Sequence, residues 1–275
     1  MSLLRKLWNN SPSAVFHMLN KKLAGSNIKP KWVEVKSGPL KGGQLFVATD
    51  SFDGWSKMIN GLFDSFIYDE VERSCNIDGA VFWDIGAHFG YHSLSFASLV
   101  GDNGHVYSFE PNPFNTARFQ MHLLKNETQA KRITLNMFAL SDVNGDMNFV
   151  FSNDVDGSSS SGSHLQNVNA PLEASTYNNF NTQVVTTLTI DSYISNPGIR
   201  IPDIIKIDVE GAELLVLKGG KEFFKRHKPI IFIEVHNILM MYYVHELLLK
   251  YGYIVQVLDE CNSTLSKCFI MAQPV

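Results

Sequence analysis

The run Val81-Phe82-Trp83-Asp84-Ile85-Gly86-Ala87-His88-Phe89-Gly90 constrains this chain more than any other stretch. An apolar segment of strand length carries an acid near its end, then meets a glycine-punctuated turn that opens a helix near Tyr91. Strand, turn and helix in that order form the first half of a βαβ unit, the repeat of an open parallel sheet. Gly86 and Gly90 can take backbone angles closed to other residues and let a ligand approach the main chain. The helix start offers N–H groups to the same ligand. A second strand, His105 to Phe109, ends in Glu110. A carboxylate there accepts from both hydroxyls of a ribose, so a nucleoside-bearing cofactor is expected, held by Gly86, Gly90 and Glu110.

What the turn lacks selects among nucleosides. The dinucleotide fingerprint G-x-G-x-x-G closes on a pyrophosphate at a helix N-terminus. Counted from Gly86, its second and third glycine positions hold His88 and Tyr91, which disfavours an NAD-dependent oxidoreductase. A cofactor with a ribose and no phosphate needs no anion nest. Asp84 would repel a pyrophosphate and suit an amine. S-adenosylmethionine meets both conditions, with Asp84 expected at its methionine amine and His88 lining that pocket. His88 and His92 stand four apart and invite a metal reading, but His88 on the cofactor turn is preferred.

Strands and helices then alternate regularly enough to give an α/β fold built on an open, mostly parallel sheet. Pro113 opens a helix running toward Asn126; a third strand lies near Ile133 to Phe138, a fourth over Asp203 to Ile207 and a fifth over Pro229 to Glu234. A long helix covers Leu239 to Lys250. Tyr253 to Leu258 and Phe269 to Ala272, around a polar turn at Asn262-Ser263, are spaced as a C-terminal antiparallel hairpin. Residues 1–79 read as an N-terminal extension and 80–275 as the catalytic domain. The segment 152–171, rich in Ser, Gly and Asn, reads as a surface loop on the substrate side.

In open α/β sheets ligands bind beyond the carboxyl ends of the strands. Asp208 and Glu210 follow the fourth strand; Glu234 and His236 close the fifth. Alternation along each strand aims both pairs at one opening. Methyl transfer to a hydroxyl requires alignment and a proton acceptor. His236 is the expected base, with Glu234 or Asp208 orienting it. Asp208, Glu210, Glu234 and His236 are thus the catalytic candidates. Lys206 either neutralises this cluster or snorkels to the surface. Carboxylates with an imidazole also suit a divalent cation such as Mg²⁺ or Mn²⁺, a choice the sequence leaves open.

Composition excludes other classes. A net charge of −4 over 275 residues offers no basic face for nucleic acid. Cys75, Cys261 and Cys268 form no C-x-x-C pair and fit neither a disulfide framework nor a zinc site. No apolar run reaches spanning length, and the basic, leucine-bearing stretch from Met1 to Leu23 lacks the h-region of a signal peptide. The expectation is a cytoplasmic enzyme with at most peripheral membrane contact through that stretch.

A further block, Ile205-Lys206-Ile207-Asp208-Val209-Glu210-Gly211-Ala212-Glu213, resembles the signature of the FkbM family of S-adenosylmethionine-dependent methyltransferases. The family's other marks follow in order: Glu110-Pro111-Asn112-Pro113, Ala139-Leu140-Ser141-Asp142, Thr187-Leu188-Thr189-Ile190-Asp191 and Ile233-Glu234-Val235-His236. The resemblance covers roughly residues 80 to 240 and implies the class I methyltransferase (Rossmann-like) fold, strand order 3-2-1-4-5-7-6. It extends the cofactor set to Ala87, Pro111, Asn112, Ser141 and Asp208, and implies O-methylation of a saccharide or glycosylated small molecule. The family usually has Asn in place of His88, and a shorter segment in place of Ser158 to Pro171. Trp55, Met58, Ile59, Gly61 and Tyr68 resemble its active-site lid. A non-catalytic module of a polysaccharide-assembly complex is the alternative.

Overall fold

The computed structural model describes residues 30–47, 53–152, 163–165, 180–259 and 268–275. The basic N-terminal stretch, Ser158 to Gly162, Gln166 to Pro171 and the Asn262-Ser263 turn lie outside the described residues. The core is a seven-stranded sheet. Its strands are β3 (Val81–Ile85), β4 (His105–Phe109), β5 (Ile133–Asn136), β10 (Ile204–Ile207), β11 (Ile230–Val235), β12 (Tyr253–Asp259) and β13 (Cys268–Pro274). They lie side by side as β12-β13-β11-β10-β3-β4-β5. Strands β5, β4, β3, β10 and β11 run parallel, and β13 is antiparallel to both its neighbours. Counted through the core strands alone this is 3-2-1-4-5-7-6, the order the resemblance implies.

The parallel strands are apolar almost throughout because helices cover both faces. Odd positions of β3, Val81, Trp83 and Ile85, share one core with Tyr107, Ile205, Ile233 and Phe223. Phe82 belongs to the other face, with Val106, Ile204, Phe232, Phe96 and Tyr68. One polar row interrupts that second face: Asp84 is in register with Ser108 on β4 and with Lys206 on β10. Helix α3 (Tyr91–Leu99) follows β3, and α4 (Pro113–Lys125) follows β4. The latter has Pro113 at its first turn and Asn112 as its N-cap, accepting from the Phe114 amide at 3.0 Å. Helix α9 (Ile238–Lys250) leaves β11 through Asn237, whose side chain accepts from the Leu239 amide at 2.8 Å.

Other elements depart from the sequence reading. Strands β1 (Lys31–Glu34) and β2 (Gln44–Val47) form an antiparallel ribbon, and α1 (Asp53–Ile59) and α2 (Ser65–Ser74) follow. Trp55, Met58 and Leu45 pack with Phe89, Leu94 and Phe119, so this part of the extension shares a core with the domain. A second sheet, ordered β6-β9-β7-β8, contains β6 (Ala139–Leu140), β7 (Gly145–Ser152), β8 (His164–Leu165) and β9 (Phe180–Leu188). The expected loop at 152–171 therefore includes a short strand: His164 and Leu165 pair with Val150 and Phe149 and are buried. Among the described residues no helix is long and apolar enough to cross a membrane.

Candidate active site

The turn after β3 is held by its own neighbours. The amides of Gly86 and Ala87 both donate to the Phe109 carbonyl, each at 3.0 Å, which ties the turn to the end of β4. Gly86 has φ +84, and a Cβ there would lie 1.8 Å from the backbone oxygen of Asp208. Gly90 has φ +90, and its Cβ would fall 2.2 Å from the Phe119 ring. Both glycines were expected to admit a ligand; what approaches them is the β10 loop and α4. His88 also lies in the left-handed region, φ 54, which Asn and His enter more readily than most residues. That shared tolerance accounts for His at a position where the family usually carries Asn. Ala87 packs in the core beside Phe89.

Glu110, 5% exposed, closes the turn from the β4 side. Its carboxylate accepts from the His88 amide at 2.8 Å, the Asn112 amide at 2.8 Å and the Asn115 side chain at 3.3 Å. Burial nevertheless outweighs these hydrogen bonds and pushes the carboxyl up to about 7, while burial, helped by Arg118, brings the His88 imidazole down to about 3. Pro111 and Asn112 are buried behind Glu110. Ser141 is fully buried after β6: its amide donates to the Leu188 carbonyl at 2.9 Å, and its own carbonyl lies 1.9 Å from where a Cβ on Gly219 would be. This is structural packing between the second sheet and α7 (Glu213–Gly219).

Asp84, expected at the cofactor amine directly or through water, is fully buried. A buried carboxylate must be paired, and its partners are internal. Ser93 donates to it at 2.6 Å, Ser108 donates to Ser93 at 2.8 Å, and the Lys206 ammonium stands 3.6 Å away. The same ammonium donates to Asp208 at 3.2 Å. Burial works against the charge of Lys206, yet Asp208 and Asp84 hold its ionisation above the ordinary lysine range. Lys206 neutralises the acids and does not snorkel.

His236 follows β11 and is buried. Its Nδ1 pairs with the Glu213 carboxylate at 2.8 Å, and Glu213, fully buried, also accepts from the Gly211 amide at 2.9 Å. Around Nε2 stand Glu210 at 3.5 Å, Asp208 at 3.6 Å and Glu234 at 3.9 Å. The convergence expected of these four residues is present, but strand alternation explains only half of it. Strand β10 ends at Ile207, and Glu210 reaches the cluster through a left-handed backbone at φ 53. Burial alone would discharge the imidazole; Glu210 first, then Glu213 and Glu234, overturn that and hold it well above the usual histidine range. That upward shift works against the free neutral base that the intrinsic chemistry of His236 suggested.

The residues from Asp84 to Val255 match the methyltransferase FkbM domain, most of the chain. The chain belongs to the FkbM methyltransferase family. It is 27% identical over 157 residues to the hexuronic acid methyltransferase AglP of Haloferax volcanii, covering 57% of this chain and 56% of that one. It is 34% identical over 146 residues to the 2-O-methyltransferase NoeI of Sinorhizobium fredii, covering 52% and 58%. The alignments thus span a little over half the length of these curated relatives. Among solved structures it is similar to a methyltransferase FkbM from Methylobacillus flagellatus KT: 18% identity, TM-score 0.47, covering 70% of this chain and 43% of that one.

Sequence reasoning missed Glu213. Its signal was present as the last acid of D-V-E-G-A-E, where it becomes the first residue of α7 and turns inward to His236. His88 and His92 serve different places. His88 belongs to the turn, while His92 on α3 contacts the Tyr68 hydroxyl at 2.8 Å through Nδ1 and Asp64 at 3.2 Å through Nε2. These contacts fix the α2 segment over α3, so Tyr68 and Asp64 act as its anchor.

Proposed function

We propose that this FkbM-family chain is an S-adenosylmethionine-dependent O-methyltransferase whose acceptor is a saccharide hydroxyl. The observation that carries the reading is a buried carboxylate, Glu110, closing a glycine turn beside which strands β10 and β11 lead into the Asp208, Glu210, Glu234 and His236 cluster. The first half suits a nucleoside: Glu110 has acceptor capacity beyond its three donors, and the turn lacks glycines at positions 88 and 91 for a pyrophosphate. When bound, the cofactor supplies a methyl group made electrophilic by its sulfonium. Glu110 would hold the ribose, and His88, its imidazole lowered to about 3 by burial, would line the neighbouring pocket without repelling a cation. On the acceptor side the carboxylates of Asp208 and Glu210 would take the hydroxyl proton as the acceptor oxygen displaces sulfur from the methyl carbon, with S-adenosylhomocysteine as the leaving group. His236, fixed through Glu213, positions them. The name of AglP supports a sugar-acid acceptor and that of NoeI supports transfer to oxygen, and the net charge of −4 supports a small acceptor over a nucleic acid.

Calorimetry of the purified chain with S-adenosylhomocysteine and with NAD tests the cofactor half, and transfer of labelled methyl to a panel of hexuronic acid and neutral glycosides tests the acceptor half. Binding of NAD in place of S-adenosylhomocysteine refutes the first. Cofactor binding with no transfer to any glycoside refutes the second.

A further inference from the structure

We propose that His122 is a positioning residue for the cofactor turn: its Nδ1–H fixes the Phe89 carbonyl, and its Nε2, held by the Phe46 amide, ties that turn to the β1–β2 ribbon. The role rests on the methyltransferase reading. His122 lies on α4 and is fully buried. Its Nδ1 stands 2.8 Å from the Phe89 carbonyl oxygen and its Nε2 stands 2.9 Å from the Phe46 amide nitrogen. A carbonyl only accepts and a backbone N–H only donates, so these two partners place the ring proton on Nδ1. Burial brings the imidazole down to about 3, against the upward pull of the Phe89 carbonyl, and a ring with a single proton is what the two partners require.

The contact belongs to a built interface. Asn126, four residues on, accepts from the Gln44 amide at 2.8 Å and donates to the Gln44 carbonyl at 2.9 Å. Four residues advance a helix by about 6 Å, and two residues advance a strand by about 6.8 Å. His122 and Asn126 therefore meet Phe46 and Gln44 in step, and their side chains give β2 the hydrogen bonds that a further strand would give. Trp32 and Phe89 each stand edge-on to the His122 ring at 5.8 Å. At the turn, Glu110 holds the His88 amide, and Gly90 donates to the Ala87 carbonyl at 2.8 Å. His122 fixes the peptide that joins Phe89 to Gly90, between the cofactor turn and the start of α3. Trp55 of α1 packs on the Phe89 ring at 5.2 Å, so the extension and the turn share this support. A turn whose peptide planes are set before a ligand arrives costs less to order on binding.

The test is calorimetry of the full chain and its His122 variants with S-adenosylhomocysteine, with the melting transition and the exchange of the Phe46 amide read alongside. An asparagine amide nitrogen reaches the place of Nδ1, and a glutamine side-chain oxygen reaches that of Nε2. His122→Ala should weaken binding by about 10–100-fold, because a buried carbonyl loses its donor. His122→Asn should recover most of that affinity while the Phe46 amide exchanges faster. His122→Gln should do the reverse, protecting the Phe46 amide without restoring affinity. A residue that served the fold alone would move affinity in step with the melting temperature across all three variants. In the parent chain, where no variant has to fold, saturating S-adenosylhomocysteine should slow exchange of the Phe46 amide. Parent-like binding by His122→Gln overturns the assignment, as do affinities that follow the melting temperature or a Phe46 amide indifferent to the ligand. A parent chain that binds no S-adenosylhomocysteine sinks the proposed function as well, whereas parent binding accompanied by any of those three results sinks the positioning role alone.

Discussion

Replacing Lys206 by Met removes the charge that neutralises the polar row beneath the cleft, and its cost can be worked from the structure. The ammonium is 2% exposed and lies 3.6 Å from Asp84 and 3.2 Å from Asp208. At an effective dielectric of 20, two unit charges at these distances attract by about 5 kcal/mol each, most of which offsets the desolvation of the three groups. The loss on truncation is therefore the cost of an orphaned buried carboxylate, about 3–5 kcal/mol, against a total stability of about 5–15 kcal/mol for an ordinary domain. Urea denaturation should show the midpoint falling with the slope unchanged. Adding Asp84→Asn to Lys206→Met should restore at least 2 kcal/mol, since the amide can keep the Ser93 hydrogen bond without a charge. A deficit under 1 kcal/mol, or a double variant no more stable than the single one, would refute the reasoning.

Glu110, raised to about 7 by burial, must ionise to accept both ribose hydroxyls, so S-adenosylhomocysteine affinity measured by calorimetry should rise as pH passes from 6 to 8. The same raised value makes charged Glu110 a destabilising group in the empty fold, so this residue's contribution lowers stability as pH climbs from about 4.5 to 7; Glu110→Ala should abolish the pH dependence and weaken binding by about 1.5–3 kcal/mol. Gly86→Ala should lower the melting temperature as well as cofactor affinity, because its Cβ meets the Asp208 carbonyl rather than open space; loss of affinity with an unchanged melting curve would mean that the ligand, not the β10 loop, needs the glycine. Tyr68→Phe should cost about 1–3 kcal/mol in thermal unfolding by leaving the buried His92 Nδ1 without a partner, and faster amide exchange over residues 53–74 would show that the anchor holds that segment.

Several features were legible from the chain alone because local chemistry decides them. The period and apolarity of β3, β4, β10 and β11, Pro113 at a helix start, the two late strands of the hairpin and the D-V-E and E-V-H blocks all read directly. Strand order followed once the family signature was met. The site was legible as a set of residues, and its roles were not. Spacing says that Asp208, Glu210, Glu234 and His236 reach the carboxyl ends of adjacent strands. Only tertiary packing reveals that Glu213 turns inward to hold the His236 ring, that Lys206 neutralises Asp84 within a closed sheet face, and that Gly86 yields to a carbonyl from the loop after β10.

The strands β7 and β9 that frame the Ser-rich segment pair from Ser152–Phe180 to Gly145–Thr187, across 27 to 41 intervening positions, a contact no local period announces. Sequence determines which groups are available and on which face of an element they emerge, since those follow from the two-residue and 3.6-residue repeats of the backbone. Charge state and contact depend on burial and on neighbours brought from distant segments. The same carboxylate is therefore a ligand-binding acid when Glu110 is read along the chain and, in the fold, also the clasp of its own turn.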